Sequence, residues 1–168
     1  MTNAIWSTTI LPYCDRAELY RQIDRRRPWH DPVNHPHFAT VIPYYVLPTL
    51  TNDQRLTPDG YAIACYAANE LVIGGGPPVR FADITDGSSV TLLAGEARGN
   101  FKPWGHPANW RDARLGINKS VDGFGGPWKG GAHVLLVDGT VRFISENIDP
   151  QVLHALSSPA GEDRVDEF

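Results

Sequence analysis

The chain has few cysteines and no motif built from them. Only two of its 168 residues are cysteine, Cys14 and Cys65, and neither lies in a Cys-x-x-Cys pair. This spacing excludes a zinc knuckle and a thioredoxin-type redox site. A single disulfide between the two remains open, and the alternative is that both are small buried apolar residues.

Long apolar runs and excess positive charge are also missing. No segment approaches the ~20 apolar residues of a membrane span, and Met1 to Thr9 lacks the basic start and apolar run of a secretory signal. We therefore expect no membrane span in this chain. The expected location is cytoplasmic if the chain is full length, and extracytoplasmic if an N-terminal pilin helix was removed. The net charge of −4 argues against nucleic acid as a partner.

The common signatures of catalysis are absent from the sequence. The glycine-rich segment 123–131 lacks the Gly-Lys-Ser/Thr ending of a phosphate-binding loop. Ser88 and Ser89 do not lie in a Gly-x-Ser-x-Gly nucleophile elbow. We assign no catalytic residue, and the sequence favours a non-enzymatic protein without deciding the question.

Two groups of side chains are candidates for metal binding. His30, His35 and His37 lie in a proline-rich loop, and imidazole suits zinc-like ions, so a metal-dependent hydrolase is the second alternative function. Asp83 and Asp86 lie in a turn region, where carboxylates can hold calcium or simply bond to nearby backbone amides. We expect no metal or cofactor, with calcium as the alternative.

A long segment rich in tryptophan and glycine is the candidate binding region. Residues 99–131 show little periodicity, and loops of this length are commonly functional. Aromatic and arginine side chains anchor many interfaces. The candidate residues are Trp104, His106, Trp110, Arg111 and Trp128. They either bind a glycan, a peptide or a protein, or they pack this segment onto its own domain.

The pattern of the chain predicts a single α+β domain over residues 1–168, with 158–168 as a frayed tail. Asp15 and Glu18 form a capping-box pattern, which predicts a helix that Pro28 ends. This helix is expected to pack on an antiparallel sheet. Strands are expected at 41–48 (an edge strand), within 57–68, and at Val90 to Glu96.

Residues 130–150 predict a β-hairpin followed by a helix. Asp138-Gly139 favours a two-residue type I′ turn, which would pair Val137 with Thr140. That register puts four apolar side chains on the core face: Val134, Leu136, Val141 and Phe143. A last helix is expected to begin at Pro150, because Asp149 before it can cap the helix.

Five stretches of the sequence resemble a known family. They are "WSTTILPYCDRAELYRQID", "PWHDPVNHP", "FADITDGSSVTLLAGE", "PWGHPANWRDARLGIN" and "GGAHVLLVDGTVRFISENIDPQVLHAL". Together they are similar to the prepilin-like, pseudopilin-type family of planctomycete bacteria, number 1559 in the domain-of-unknown-function series. The C-terminal signature of that family is His, nine residues, then Asp-Gly.

The resemblance implies a pseudopilin-like globular head that normally follows an apolar pilin helix. It implies no enzymatic activity, and it favours protein partners or self-assembly in a structural role. The sequence departs from the family pattern in three places. We expect the pilin helix to be missing from this form, Trp128 stands where the signature has His, and Leu47 stands where Cys is frequent. Asp138 and Gly139 match the signature, and turn formation accounts for both.

Overall fold

The computed structural model describes residues 5–74 and 76–161. The chain divides into two compact units, Met1–Ala64 with Phe101–Asn109, and Cys65–Asn100 with Trp110–Phe168. Short helices occur together with mainly antiparallel sheets, so the predicted α+β class is confirmed. The single domain over 1–168 stays a prediction. Of its predicted frayed tail, residues 162–168 lie outside the described residues.

The first unit is built mainly from short helical segments. Its α-helices are α1 (Trp6–Thr9), α2 (Ala17–Gln22) and α3 (His35–Phe38). Three 3-10 helices lie at Leu11–Tyr13, Pro43–Tyr45 and Asn52–Arg55. Strand β1 (Ile63–Ala64) pairs antiparallel with β4 (Lys102–Pro103) in a two-stranded sheet. The predicted edge strand at 41–48 is therefore wrong, because Pro43 starts a 3-10 turn there instead of an extended segment.

The core of the first unit is centred on Trp104, which is fully buried. Its ring centroid lies 4.5 Å from that of Phe38 and 6.1 Å from that of Tyr45. The indole Nε1 donates a 3.0 Å hydrogen bond to the carbonyl of Thr40, so the one polar atom of the buried ring is satisfied. Burial raises the pKa of Tyr45, whose hydroxyl donates to the carbonyl of Ser7.

The predicted N-terminal helix is present but shorter than predicted, and the prediction that Asp15 caps it is wrong. Asp15 has a positive φ of 54° and does not cap the helix, which begins at Ala17 after Arg16. The amide of Arg16 bonds back to the carbonyl of Leu11, so the chain turns tightly before the helix begins. The helix ends at Gln22, well before Pro28, so the three arginines at 25–27 lie outside it.

The second unit is organised around a five-stranded sheet with the strand order β5-β2-β3-β6-β7. The strands are β2 (Tyr66–Asn69), β3 (Leu92–Glu96), β5 (Trp110–Arg111), β6 (Gly131–Leu136) and β7 (Val141–Ser145). Only the short β2–β5 pairing is parallel among the described strands of this sheet. The strand predicted at Val90 to Glu96 is confirmed as β3, which begins at Leu92. The segment 57–68, predicted to hold one strand, instead contains β1 and most of β2, which belong to different sheets.

The described part of the second unit also contains two α-helices, α4 (Glu70–Ile73) and α5 (Pro150–Ser157), and two 3-10 helices at Phe81–Asp83 and Ala113–Leu115. Helix α5 begins at Pro150 as predicted, and the Asp149 side chain accepts a 2.7 Å bond from the Gln151 amide. The buried amide of Asn69 then joins this helix to the sheet. Its Nδ2 donates to the carbonyl of Leu92 at 2.7 Å and to that of Ser157 at 2.8 Å.

The C-terminal hairpin forms where predicted, but its register differs by one residue. Leu135 pairs with Val141, and the amide of Leu136 donates to the carbonyl of Thr140. The loop therefore has three residues, and only Gly139 has a positive φ, 88°. Asp138 instead accepts a 2.9 Å bond from the Thr140 amide, which supports a turn that needs glycine at one position only.

This shift reverses the predicted faces of the second hairpin strand. In a strand, a change of one residue moves every side chain to the opposite face. The core face carries Ala132, Val134, Leu136 and Ile144, all nearly inaccessible. Val141 and Phe143, predicted to face the core, are 63% and 50% exposed on the other side.

Candidate functional site

A buried carboxylate lies at the end of β3, next to the hairpin. Glu96 is only 3% exposed, and both of its oxygens accept hydrogen bonds. Trp128 Nε1 donates to Oε1 at 2.7 Å, and the backbone amide of His133 donates to Oε2 at 2.7 Å. The Nδ1 of His133 lies 3.3 Å from the same Oε2. The side chain of Glu96 therefore joins β3 to β6 and to the loop before it.

Gly126 and Tyr66 are close neighbours of Glu96. A Cβ at Gly126 would lie 2.6 Å from Oε2, so glycine is needed for the loop to pass this close. Glu96 pairs in the sheet with Tyr66 on β2. Burial, and then the charge of Glu96, raise the pKa of that tyrosine. The tyrosine therefore stays a neutral neighbour of the carboxylate.

A second polar side chain holds the same loop. Asn118, whose φ is 61°, accepts a bond from the amide of Gly126 at 3.0 Å. Its Nδ2 donates to Glu146 Oε2 at 3.0 Å. Its own amide donates to the carbonyl of Phe124 at 2.9 Å. Asn118 and Glu96 thus fix the glycine-rich segment that leads into β6.

An exposed apolar surface covers the outer side of this arrangement. Trp128 is 42% exposed, and its ring centroid lies 5.8 Å from that of His133 in an edge-to-face arrangement. The His133 ring lies in turn 5.1 Å from that of Phe143. We name this surface the hairpin face. It consists of Trp128, His133, Leu135, Val141 and Phe143.

The hydrogen bond from Trp128 to Glu96 requires a ring N–H and not an indole as such. In indole, Nε1 lies two bonds from Cγ in a five-membered ring, and Nε2 of an imidazole lies at the corresponding ring position. A histidine at position 128 can therefore present an N–H to Glu96 from the same direction. Position 128 thus carries a hydrogen-bond donor to Glu96 in this chain.

The five predicted binding residues do not lie together in one unit. Trp104 and His106 belong to the first unit, and Trp110, Arg111 and Trp128 belong to the second. Trp104 is fully buried in the core, so its indole has no surface for a ligand. His106 is half-buried against Trp29, with ring centroids 5.4 Å apart, and burial lowers the pKa of His106. Trp110 is half-buried, and Trp128 is the one of the five on the hairpin face.

Arg111 binds backbone instead of presenting its charge to solvent. It is 3% exposed, and its NH2 group donates to the carbonyls of Gly99 and Asn100 at 3.2 and 3.0 Å. Burial lowers the pKa of its guanidinium. The Arg111 side chain therefore holds the backbone that enters the candidate binding segment.

Four of the five metal candidates make side-chain contacts with other groups, and the fifth, His37, is half-buried in α3. His35 Nε2 lies 3.1 Å from the carbonyl of Asp59, and the His30 ring lies edge-on to Trp29. Asp83 Oδ2 accepts a 2.9 Å bond from the Arg80 amide, and Asp86 Oδ2 accepts one of 2.6 Å from the Gly161 amide. Within residues 5–74 and 76–161, no group of three or more His, Cys, Asp or Glu side chains is placed to hold a metal ion. Cys14 and Cys65 are not joined in a disulfide.

Comparisons with known proteins give one family. The sequence profile of a family described as "Protein of unknown function (DUF1559)" matches residues 2–69 and 102–151, more than half of the chain. No curated protein and no solved structure matches significantly. In the part of the chain that the structure describes, no helix has the length and hydrophobicity needed to cross a membrane. Because the family profile matches more than half of the sequence, the chain belongs to the DUF1559 family of proteins of unknown function.

Proposed function

We propose that this chain is a non-enzymatic, pseudopilin-like interaction domain that binds another protein chain through the hairpin face. The observation that carries the proposal is the exposure of large apolar side chains on one firmly held surface. Val141 is 63% exposed, Phe143 50% and Trp128 42%. Clustered aromatic and aliphatic side chains of this kind are typical of the centres of protein interfaces.

The position of the hairpin face on rigid elements supports a binding role. Glu96 holds the indole of Trp128 and the backbone of His133 from behind, while their rings remain at the surface. A surface whose side chains are already fixed loses little conformational entropy on binding. The buried polar residues next to the hairpin face thus act by positioning it.

The residues shared with the family pattern support a structural reading as well. Asp138 and Gly139 form the turn of the hairpin, and Asn118 fixes the loop before it. The resemblance to pseudopilins supports an extracytoplasmic location when an apolar helix precedes this domain. A negative net charge of −4 makes a protein surface a better partner than nucleic acid.

Photo-crosslinking in the native host tests this proposal. We expect a benzoylphenylalanine probe in place of Phe143 to give a discrete adduct with a protein chain. The matched control is the same probe in place of Tyr13, an aromatic residue of the first unit that is 87% exposed. Absence of an adduct at position 143, or equal adducts at both positions, would contradict a role for the hairpin face in protein binding.

A further inference from the structure

The last strand of the sheet, β7, is an edge strand with one paired side. The strand order of the sheet ends at β7, and β6 is its only partner among the described residues. Exposed edges present unpaired N–H and C=O groups, and these commonly recruit another strand. Val141 and Phe143 on this strand are 63% and 50% exposed on the hairpin face.

The hydrogen bonds of β7 show which of its backbone groups point away from β6. The Thr140 carbonyl accepts from the Leu136 amide, and the Glu146 amide donates to the Gly130 carbonyl, so even-numbered positions face β6. Because these directions alternate along an antiparallel strand, Phe143 and Ser145 direct their backbone groups outward. The Ser145 carbonyl accepts a 3.1 Å bond from the Ile148 amide and retains a second lone pair.

The side chains of β7 and its end are complementary to their own copy. Arg142 is exposed, and Glu146, four residues later, is half-buried on the same side of the strand. If two β7 strands pair antiparallel with Ile144 at the two-fold axis, Arg142 of each copy lies opposite Glu146 of the other. The dimer then contains two such ion pairs. Charges of opposite sign attract each other at such facing positions of two strands, and charges of the same sign repel each other.

We propose that the chain forms a two-fold symmetric dimer in which two β7 strands pair antiparallel. This inference rests on the proposed function, because it names a second copy of this chain as the protein partner, which pairs with the β7 edge next to the hairpin face. In this register the outward N–H of Ser145 donates to the Phe143 carbonyl of the other copy, and the N–H of Phe143 donates to its Ser145 carbonyl. The two sheets become one continuous sheet, and the Phe143 rings of the two copies approach diagonally across the axis.

Sedimentation equilibrium of the purified chain, from low micromolar to millimolar concentration, tests the dimer. We expect reversible association to a species of twice the chain mass. Arg142→Glu converts two attractive pairs into two repulsive ones, so it should raise the dissociation constant about tenfold or more. Phe143→Lys should raise it similarly. Arg80→Glu, an equal charge change at a residue whose side chain is 86% exposed in the same unit, should leave it unchanged.

Each outcome of this experiment decides the inference. A chain that stays monomeric at every concentration overturns it, and so does a dimer that ignores both β7 variants. Circular dichroism checks the fold of each variant, and Arg142→Glu decides alone if Phe143→Lys does not fold. A crosslink from position 143 to a different protein, together with a monomeric purified chain, leaves the proposed function standing and removes only the dimer.

Discussion

Replacement of Glu96 by alanine is expected to lower the free energy of unfolding by about 3–5 kcal/mol. The carboxylate is 3% exposed and accepts from Trp128 Nε1 and the His133 amide. Alanine leaves both donors without an acceptor in a largely water-excluded place, and it creates a cavity. Each lost bond to a charged group contributes about 1.5–3 kcal/mol. Chemical denaturation followed by Trp fluorescence and circular dichroism measures the change.

Glu18→Ala is the matched control for this change. The side chain of Glu18 is 72% exposed, and its ion pair with Arg21 lies at the surface. Exposed ion pairs contribute little, so this variant should stay within about 0.5 kcal/mol of the parent chain. Equal stability of the two variants would show that Glu96 does not hold the hairpin.

Replacement of Gly105 by alanine should destabilise the first unit by about 3 kcal/mol or more, since overpacking of a filled core is costly. A Cβ at this position would lie 2.1 Å from Cδ1 and 2.4 Å from Cε1 of Phe38. Phe38 is 1% exposed, and its ring packs against Trp104 at 4.5 Å and Trp29 at 6.3 Å. The ring therefore has no space into which it can move. Thermal melting measures the loss.

Gly76→Ala provides the comparison for that prediction. A Cβ at Gly76 meets no atom within 4 Å, and its φ is not in the left-handed region. The substitution should be neutral or slightly stabilising, because alanine restricts the unfolded chain more than glycine does. A Gly105→Ala variant as stable as Gly76→Ala would mean that the Trp104 core is looser than the structure shows.

The elements of the fold that were predictable from sequence are those set by local chemistry. Asp149 and Pro150 define the start of α5, and the Asp138-Gly139 pair identifies the hairpin. The turn type was not predictable, because a three-residue loop with glycine at one position uses the same residues. The error of one residue in register then exchanged the two faces of β7, which is why the exposed Phe143 was expected in the core.

The candidate site was only partly predictable. Trp128 was among the expected binding residues, but Glu96 was missed because its acceptor role depends on Trp128 and His133, more than 30 positions later in the chain. The one local signal was a carboxylate at the end of the apolar run "TLLAGE". A charge beside a buried strand needs partners, and the sequence does not say which residues supply them.

Aromatic composition alone did not separate core from surface. Trp104 and Trp128 lie in the same glycine-rich segment, yet one is fully buried and the other is 42% exposed. The difference arises from their neighbours, because Trp104 packs against Phe38 and Tyr45 in the core and Trp128 lies beside His133 on the hairpin face. Likewise, arginine is a common interface anchor, but the guanidinium of Arg111 donates hydrogen bonds to the carbonyls of Gly99 and Asn100.

A double-mutant cycle between Glu96 and Trp128 tests the central claim most directly, namely that Trp128 donates a hydrogen bond to a buried carboxylate and thereby holds the hairpin. The cycle compares Glu96→Ala, Trp128→Phe and the double variant by chemical denaturation, with Trp128→His as the variant that keeps an N–H. We predict a coupling energy of about 1.5–3 kcal/mol between the two positions. Trp128→His should lose less stability than Trp128→Phe. Additive effects of the two substitutions, with the His and Phe variants equally destabilised, would contradict the account.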